Sequence, residues 1–162
     1  MKSVESSYQY PSNALYFFLG TVAELIKTLP VLKECMERNI PFKIIASGQN
    51  NILQNELFSL LGIKEPEIVL SRSDIKQTPL HLFLWFFKTL FAGIKILRQE
   101  FSPNTRQYMI GHGDTVSTLL GALLGRYFGL RAVHLEAGLR SFHLLNPFPE
   151  EITRLLVSHL TN

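Results

Sequence analysis

The sequence has little of what several classes of protein require. It contains one cysteine, Cys35, so it cannot form an internal disulfide, and its Cys and His residues lack the spacing of metal ligands. The net charge of +3 is spread along 162 residues, without the Lys or Arg run that marks a nucleic-acid surface. These shortages predict no metal site and no nucleic-acid partner. We expect Cys35 in the core, and the slight basic excess favours an anionic small substrate.

Motifs of three large enzyme classes are also missing. No GxGxxG pattern follows the first apolar segment and no Walker A pattern occurs, so a nicotinamide site or a P-loop nucleotide site has no support. No GxSxG or Cys/His nucleophile pattern is present either. Residues 1–13 are polar and lack the apolar stretch of a signal peptide, which predicts a cytoplasmic location.

Apolar strands that alternate with helices make up the rest of the chain. With 46% hydrophobic residues, it can bury a sizeable core as a single domain, residues 1–162, in which 1–13 form a flexible or edge segment. The predicted strands are 14–20, 42–47, 67–70, 107–111 and 131–135. The predicted helices are 23–39, with a kink or break at Pro30, then 51–61, 80–98, 115–128 and one from about Pro149. This alternation predicts an α/β fold, a Rossmann-like parallel sheet with helices on both faces.

The predicted helix at 80–98 is unusually apolar. Its polar positions His81, Lys88 and Lys95 recur every seven residues and share one stripe, which argues against a membrane-spanning helix. Phe and Trp side chains cover more than one of its remaining faces, so the sheet alone cannot bury them. We therefore expect a second covering surface, a subunit interface in the first place and a membrane surface in the second.

Polar residues cluster where the predicted strands end. The four segments are Gly20-Thr21, Gly48-Gln49-Asn50, His112-Gly113-Asp114-Thr115 and Glu136-Ala137-Gly138-Leu139-Arg140. Ligands of open parallel sheets bind outside the carboxyl ends of the strands, so these segments predict a binding site at that edge. Acids with arginines and no metal cluster indicate general acid–base chemistry on an anionic substrate.

The candidate acids also have purely structural explanations. Asp114 lies just before a predicted helix, where it could be only the N-cap. Glu136 closes an apolar strand, where a carboxylate can simply face solvent. Glu150 and Glu151 fall in the first turn of the last helix, where acids favour the helix dipole. For each acid, the local pattern leaves both explanations open.

The same holds for the basic candidates. His112 and His134 have a pattern that is more typical of packing or supporting residues than of catalysts. Arg140 and Arg154 could each pair with the neighbouring acids or bind a diphosphate. The residues alone do not decide between these roles.

Three long motifs in register resemble one enzyme family, the non-hydrolysing UDP-N-acetylglucosamine 2-epimerases. The motifs are HGDT at 112–115, HLEAGLR at 134–140 and PFPEEITR at 147–154. The segment from Gly20-Thr21 through Glu24, Lys27 and Pro30 is similar to the family's GTRPEAIKMAP, and Gly48-Gln49-Asn50 is similar to its GQH. The resemblance covers the chain from about Ala14 onward.

The resemblance implies the N-terminal half of a two-domain fold of the GT-B type, with the substrate in the cleft between domains. It implies interconversion of UDP-N-acetylglucosamine and UDP-N-acetylmannosamine by elimination and re-addition of UDP, without a cofactor. Asp114, Glu136 and Glu150 would be the catalytic acids. The substrate-binding residues would be Thr21, Lys27, Gln49, Asn50, His112, Arg140 and Arg154. The family commonly forms homodimers.

The sequence departs from the family pattern in the first loop and in its length. The arginine after Gly-Thr is Val22 here, which removes a bidentate contact to the diphosphate, and the histidine of GQH is Asn50. The 162 residues also stop before a second domain, so we expect no turnover unless that domain is supplied in cis or in trans. The alternatives are a hydrolysing epimerase, half of a GT-B glycosyltransferase, or a non-catalytic binding or assembly subunit.

Overall fold

A five-stranded parallel sheet, in the order β3-β2-β1-β4-β5, forms the centre of the computed structural model. The structure describes residues 14–53, 56–72, 78–101, 106–143 and 148–161. The strands are β1 Ala14–Leu19, β2 Phe42–Ala46, β3 Ile68–Val69, β4 Gln107–His112 and β5 Arg131–Leu135. The helices are α1 Val22–Glu37, α2 Glu56–Leu60, α3 Pro79–Leu97, α4 Val116–Tyr127 and α5 Glu150–Leu160. The predicted α/β fold is confirmed, while the expectation for 1–13 falls outside the described residues.

The strand order places the predicted site at the crevice between β1 and β4. From β1 the chain moves outward through β2 and β3, and β4 then returns to the other side of β1. Helices that follow neighbouring strands therefore diverge at this point, and their first turns border a crevice at the carboxyl edge.

Two apolar layers cover the two faces of the sheet. Side chains along β1 alternate between them, because successive residues of a strand point to opposite faces. Phe17 and Leu19 pack with α1 and α2, whereas Tyr16 and Phe18 pack with α3 and α4. Burial on both faces explains why β1 is apolar throughout. Cys35 of α1 belongs to the first layer, as expected.

Of the kink or break predicted at Pro30, the structure excludes the break, and the predicted start of α2 is wrong. α1 runs without a break through Pro30, which lies on the solvent side, where water can satisfy the carbonyl that proline leaves unpaired. α2 does not begin at Asn51, since the Asn51 side chain accepts a hydrogen bond from the backbone of Leu53 and forms a turn instead.

The helix α3 is buried along one row and bare along another. By length and composition it could cross a membrane, and it is the one helix of the described chain with this property. Its inner row packs on the sheet and on α4, and a Cβ at Gly93 would lie 2.8 Å from Leu124. The large exposed side chains of α3 are Leu80, Phe83, Leu84, Phe87, Phe91 and Ile96. The expected second covering surface is therefore not supplied by the described part of this chain.

Candidate active site

The first turns of α1 and α4 meet at the carboxyl edge of the sheet. Thr21 caps α1 in a reciprocal capping box with Glu24, and Thr115 caps α4 by accepting from the backbone of Thr118. Because Thr115 is the cap, Asp114 is not, and its side chain is free to point elsewhere. The explanation of Asp114 as the N-cap of α4 is therefore wrong.

Arg154 of α5 joins the two turns that carry the first two candidate acids. Its guanidinium is almost fully buried, with 4% of the residue exposed. One nitrogen donates to the carboxylate of Asp114 and the other to the backbone carbonyl of Glu136. A buried cation needs such partners, so Arg154 fixes the distance between the β4 and β5 turns.

Glu136 directs its carboxylate back across the edge of the sheet. Its φ of 62° lies in the left-handed region, which is sparsely populated by residues other than glycine. Lys27 Nζ donates to Oε2 at 2.9 Å, and His112 Nε2 lies 3.6 Å from the same oxygen. The hydrogen bond from Lys27 lowers the pKa of Glu136, so the carboxylate is ionised at neutral pH.

The two histidines have different surroundings. Burial lowers the pKa of His112, and the neighbouring Glu136 opposes that shift. Burial also lowers the pKa of His134, whose Nε2 donates to the Gly113 carbonyl at 2.5 Å. Ser158 lies 3.4 Å from the other ring nitrogen. His134 thus supports the turn before Asp114, as its sequence pattern suggested, whereas His112 faces Glu136.

Glu150 opens α5 one turn before Arg154. Residues four apart share a helix face, so the third candidate acid lies on the same side of α5 as the guanidinium. Its Oε2 is buried and has no hydrogen-bond partner within the described ranges. A buried oxygen without a hydrogen bond is energetically costly. We therefore regard Glu150 Oε2 as a candidate to accept a proton, or a hydrogen bond from a hydroxyl, of the substrate.

Arg140 is engaged by a different acid. Its Nε donates to Glu151 Oε1 at 2.5 Å, and the same buried carboxylate accepts from the backbone of Ser141 at 3.1 Å. The hydrogen bond from Arg140 lowers the pKa of Glu151. Of the two roles open for Arg140, pairing with an acid is the one seen here. Its predicted contact with substrate stays a prediction.

The loop after β2 is tied to the start of α4. Gln49 Oε1 accepts from the backbone of Ser117 at 2.9 Å, and the hydroxyls of Ser117 and Ser47 are 2.7 Å apart. The backbone of Asn50 donates to the Gly20 carbonyl at 2.8 Å. A Cβ at Gly20 would lie 2.2 Å from Ser117 Oγ, so only glycine fits there. The side-chain oxygen of Gln49 thus accepts a hydrogen bond from the first turn of α4.

Sequence reasoning missed three polar residues that hold this edge. Glu24 has a readable signal, since Thr21-x-x-Glu24 is a capping-box pattern. Glu151 was weighed only as a helix-dipole acid, and nothing in the local sequence singles out Ser117. No group of three His, Cys, Asp or Glu residues suited to a metal ion occurs in the described ranges. The edge thus offers carboxylates, two cations and a neutral imidazole, a set suited to moving protons beside an anionic ligand.

Known proteins resemble this chain in sequence and in fold. A sequence profile described as UDP-N-acetylglucosamine 2-epimerase matches residues 33–162. A UDP-N-acetylglucosamine 2-epimerase of Campylobacter jejuni is 33% identical over 88% of this chain and 36% of its own length. The Yersinia pestis enzyme of that name is 41% identical over 87% of this chain and 36% of its own length. The chain therefore spans about a third of the curated relatives it matches.

Solved structures agree. The Methanocaldococcus jannaschii UDP-GlcNAc 2-epimerase, in complex with UDP-GlcNAc and UDP, matches with a TM-score of 0.75 and 29% identity over 91% of this chain and 38% of its own. The Neisseria meningitidis enzyme bound to UDP-GlcNAc matches with a TM-score of 0.74 and 30% identity, covering 92% and 39%. MurG of Acinetobacter baumannii, at 16% identity and a TM-score of 0.60, shares the fold. The sheet is thus the Rossmann-like N-terminal half of a GT-B-type fold, and the chain belongs to the UDP-N-acetylglucosamine 2-epimerase family.

Proposed function

We propose that this chain supplies the acid-bearing half of an epimerase that interconverts UDP-N-acetylglucosamine and UDP-N-acetylmannosamine. The single observation that carries the proposal is the arrangement around Arg154, which ties Asp114 to the Glu136 turn and lies one helical turn from Glu150. Two solved relatives are complexes with UDP-GlcNAc, and these positions lie in the segments that resemble the motifs of the family. The 162 residues alone would not turn over substrate, since the acids need a facing lobe, in cis or in trans, to exclude water.

The proposed reaction needs a base, a site for a leaving diphosphate and an acid. A carboxylate removes the C2 proton, the C–H electron pair becomes the C1–C2 double bond, and UDP leaves with the electron pair of the C1–O bond. UDP then adds back to C1 while a proton returns to the opposite face of C2. Glu136 is ionised and Glu150 has an unused oxygen, so both suit proton transfer. Lys27 and Arg154 supply positive charge for the diphosphate.

The remaining candidates would orient the ligand. Thr21, Gln49 and Asn50 border the crevice between β1 and β4, and His112 is a neutral donor or acceptor beside Glu136. Val22 opens α1 at the position of the family arginine, so diphosphate binding in this chain depends more heavily on Lys27 and Arg154. No cofactor enters this scheme, and we place the reaction in the cytoplasm.

The test combines this chain with a C-terminal half taken from the Yersinia pestis relative. In D2O, NMR should show UDP-N-acetylmannosamine forming from UDP-N-acetylglucosamine with deuterium at C2. Glu136→Gln should lower the rate by roughly 10²- to 10⁴-fold, the usual contribution of one acid–base group. Glu37→Gln, which changes an exposed acid at the far end of α1, is the matched control. Equal rates for the two variants would refute the assignment of Glu136.

The products of the same assay separate the rival enzymes. Free sugar with UDP would indicate a hydrolysing epimerase, and transfer to an added acceptor would indicate a glycosyltransferase. A chain that binds UDP-sugars but never gives a product would favour a non-catalytic subunit.

The bare outer face of α3 favours an assembly role in addition to the site. Phe83 and Phe91 expose 60% and 67% of their surface. We propose that this face pairs with a second copy in a homodimer, in preference to a membrane, because Lys88 and Lys95 interrupt the helix. Sedimentation of the chain with and without anionic vesicles would separate the two.

A further inference from the structure

Glu24 is a buried acid at the carboxyl edge, and the proposed reaction does not use it. It lies in the first turn of α1 with 3% of its surface exposed. Its Oε2 accepts from the backbone of Gly20 at 2.6 Å and of Thr21 at 3.1 Å. Its Oε1 faces the hydroxyls of Thr115 and Thr118, at the start of α4. Glu24 therefore joins the amino-terminal ends of two helices.

The hydroxyl groups around Oε1 form four oxygen–oxygen contacts. Thr115 Oγ1 contacts Glu24 Oε1, and Thr118 Oγ1 lies 3.2 Å from both Glu24 Oε1 and Thr115 Oγ1. Thr118 Oγ1 also lies 2.7 Å from the His112 carbonyl, which can only accept, so the Thr118 proton goes there. The backbone of Thr118 donates to Thr115 Oγ1 at 3.1 Å. The Thr115 proton is then the only hydroxyl proton left for three contacts.

Counting protons favours a neutral Glu24. If Glu24 is ionised, the Thr115 proton serves one contact and two others join oxygens without a proton. If Glu24 carries a proton on Oε1, it donates to Thr115, Thr115 donates to Thr118, and Thr118 donates to His112. Each threonine oxygen then uses its one proton, while Oε2 is the carbonyl oxygen whose two lone pairs accept the two backbone donors. Of the four contacts, only the one between Glu24 Oε1 and Thr118 Oγ1 then remains without a proton.

We propose that Glu24 is a neutral carboxylic acid at physiological pH, and that its proton begins a one-way hydrogen-bond chain through Thr115 and Thr118 to the His112 carbonyl. This series of hydrogen bonds holds both ends of the turn that carries Asp114, since His112 precedes the turn and Thr115 follows it. Glu24 is thus a positioning residue for Asp114. The importance of Glu24 for turnover rests on the proposed function, whereas its protonation state does not depend on that function.

The electrostatic surroundings agree with this assignment. Burial raises the pKa of Glu24 and outweighs the hydrogen bonds that lower it. At this edge of the sheet the packed elements also carry Lys27 on α1, and His112 and Asp114 at and just after the end of β4. Lys27 is held by Glu136, and Asp114 by Arg154. The positive amino-terminal ends of α1 and α4 act in the opposite direction, because they favour the ionised carboxylate.

The direct test is a titration of the Glu24 side-chain carbon by NMR in the full 162-residue chain, without substrate. The signal is assigned by comparison with Glu24→Gln. We expect the protonated shift to persist well above pH 4.5, the usual value for glutamate. Because the folded pKa is raised, Glu24 contributes fully to stability below pH 4.5, and this contribution is lost as the pH rises through the folded pKa. An ionised Glu24 signal at pH 7 would overturn the proposal.

Two variants test the positioning role. Glu24→Gln keeps a carbonyl for Gly20 and Thr21 and an N–H donor for Thr115, so amide hydrogen exchange at Gly113 and Asp114 should stay within about twofold of wild type. Glu24→Ala leaves these donors unmet and should speed that exchange about tenfold or more. If Glu24→Gln disturbs the turn as strongly as Glu24→Ala, the carboxylate is required and the proposal fails.

A matched control separates a local effect from general loss of stability. Thr28→Val removes a buried hydroxyl one turn further along α1, where it donates to the Glu24 backbone. It should leave the exchange of Gly113 and Asp114 unchanged; equal acceleration there would refute the positioning role. These readouts need no UDP-sugar, so failure of the epimerase assay would leave the Glu24 result intact, and the reverse also holds.

Discussion

The carboxyl edge of the sheet and the outer face of α3 are both proposed binding surfaces, but they differ in chemistry. At the edge, Asp114 pairs with Arg154 and Glu136 with Lys27 before any ligand arrives. On α3, large apolar side chains meet water without cover. A polar site can be held in geometry by its own ion pairs, whereas an apolar face forgoes about 25 cal/mol for each Å² left in water. The first surface is preorganised, and the second gains stability only from association.

The largest effect we expect comes from the inner side of α3. Trp85→Ala should lower the free energy of unfolding by about 4 kcal/mol, because Trp85 is 5% exposed and its removal leaves a cavity. Its neighbour Leu84 is exposed, so Leu84→Ala is the control and should change stability by less than about 0.5 kcal/mol. Urea unfolding measures both. Similar losses of unfolding free energy for the two variants would mean that the two sides of α3 do not differ in burial.

The next effect tests the preorganised edge. Arg154→Met should cost about 3 kcal/mol in unfolding free energy, since it removes a buried guanidinium that holds Asp114 and the Glu136 carbonyl. Arg38→Met removes an exposed pair with Glu34 and should cost less than about 1 kcal/mol. Thermal or urea unfolding would compare them, and a small cost for Arg154→Met would show that the edge is not held by this residue.

A smaller effect concerns pH. The folded-state pKa of Glu136 is lowered by Lys27, so its contribution to stability is present above pH 4.5 and is lost as the pH falls through the folded pKa. Lys27→Met should raise the pKa of Glu136 in an NMR titration and weaken this acid dependence. The change in stability at pH 7 should stay below about 1 kcal/mol, because the pair is half-exposed. Lys33→Met, at an exposed pair with Glu37, should leave the Glu136 titration unchanged.

The smallest effect on stability should come from the outer face of α3. Measured on the monomer at low concentration, Phe83→Ser combined with Phe91→Ser should change the unfolding free energy by less than about 0.5 kcal/mol, since both side chains contact water there. The same variant should shift the chain from dimer to monomer in analytical ultracentrifugation. A wild-type chain that is monomeric at high concentration would break the comparison, because the apolar face would then need no second copy.

The fold was largely readable from local sequence patterns. Apolar runs such as Phe42–Ala46 and Arg131–Leu135 are short and bounded, and the segments between them have helical spacing, so element type and order follow from periodicity. The errors lie where local chemistry competes with periodicity. Pro30 is tolerated because it faces water, and the Asn51 turn shortens α2. The first outcome depends on which side of α1 is buried, and the second on a side-chain hydrogen bond that periodicity does not report.

The site was predicted as a set of residues but not as a set of contacts. The order of strands and their parallel direction place the polar strand ends together, so Asp114 and Glu136 were expected at one edge. That Thr115 rather than Asp114 caps α4, and that Glu151 is the acid that pairs with Arg140, required the coordinates. Both outcomes depend on side-chain directions that local spacing does not encode.

The sequence by itself determined the alternation of strands and helices, the edge where the acids gather and the membership of a family. The tertiary structure decided the partners, as in the pairs Lys27–Glu136 and Arg154–Asp114 and in the contact between Glu24 and Thr115, which are 109, 40 and 91 residues apart. Periodicity is a property of neighbours along the chain, whereas a buried charge is stabilised by whichever group the crossover helices carry to it.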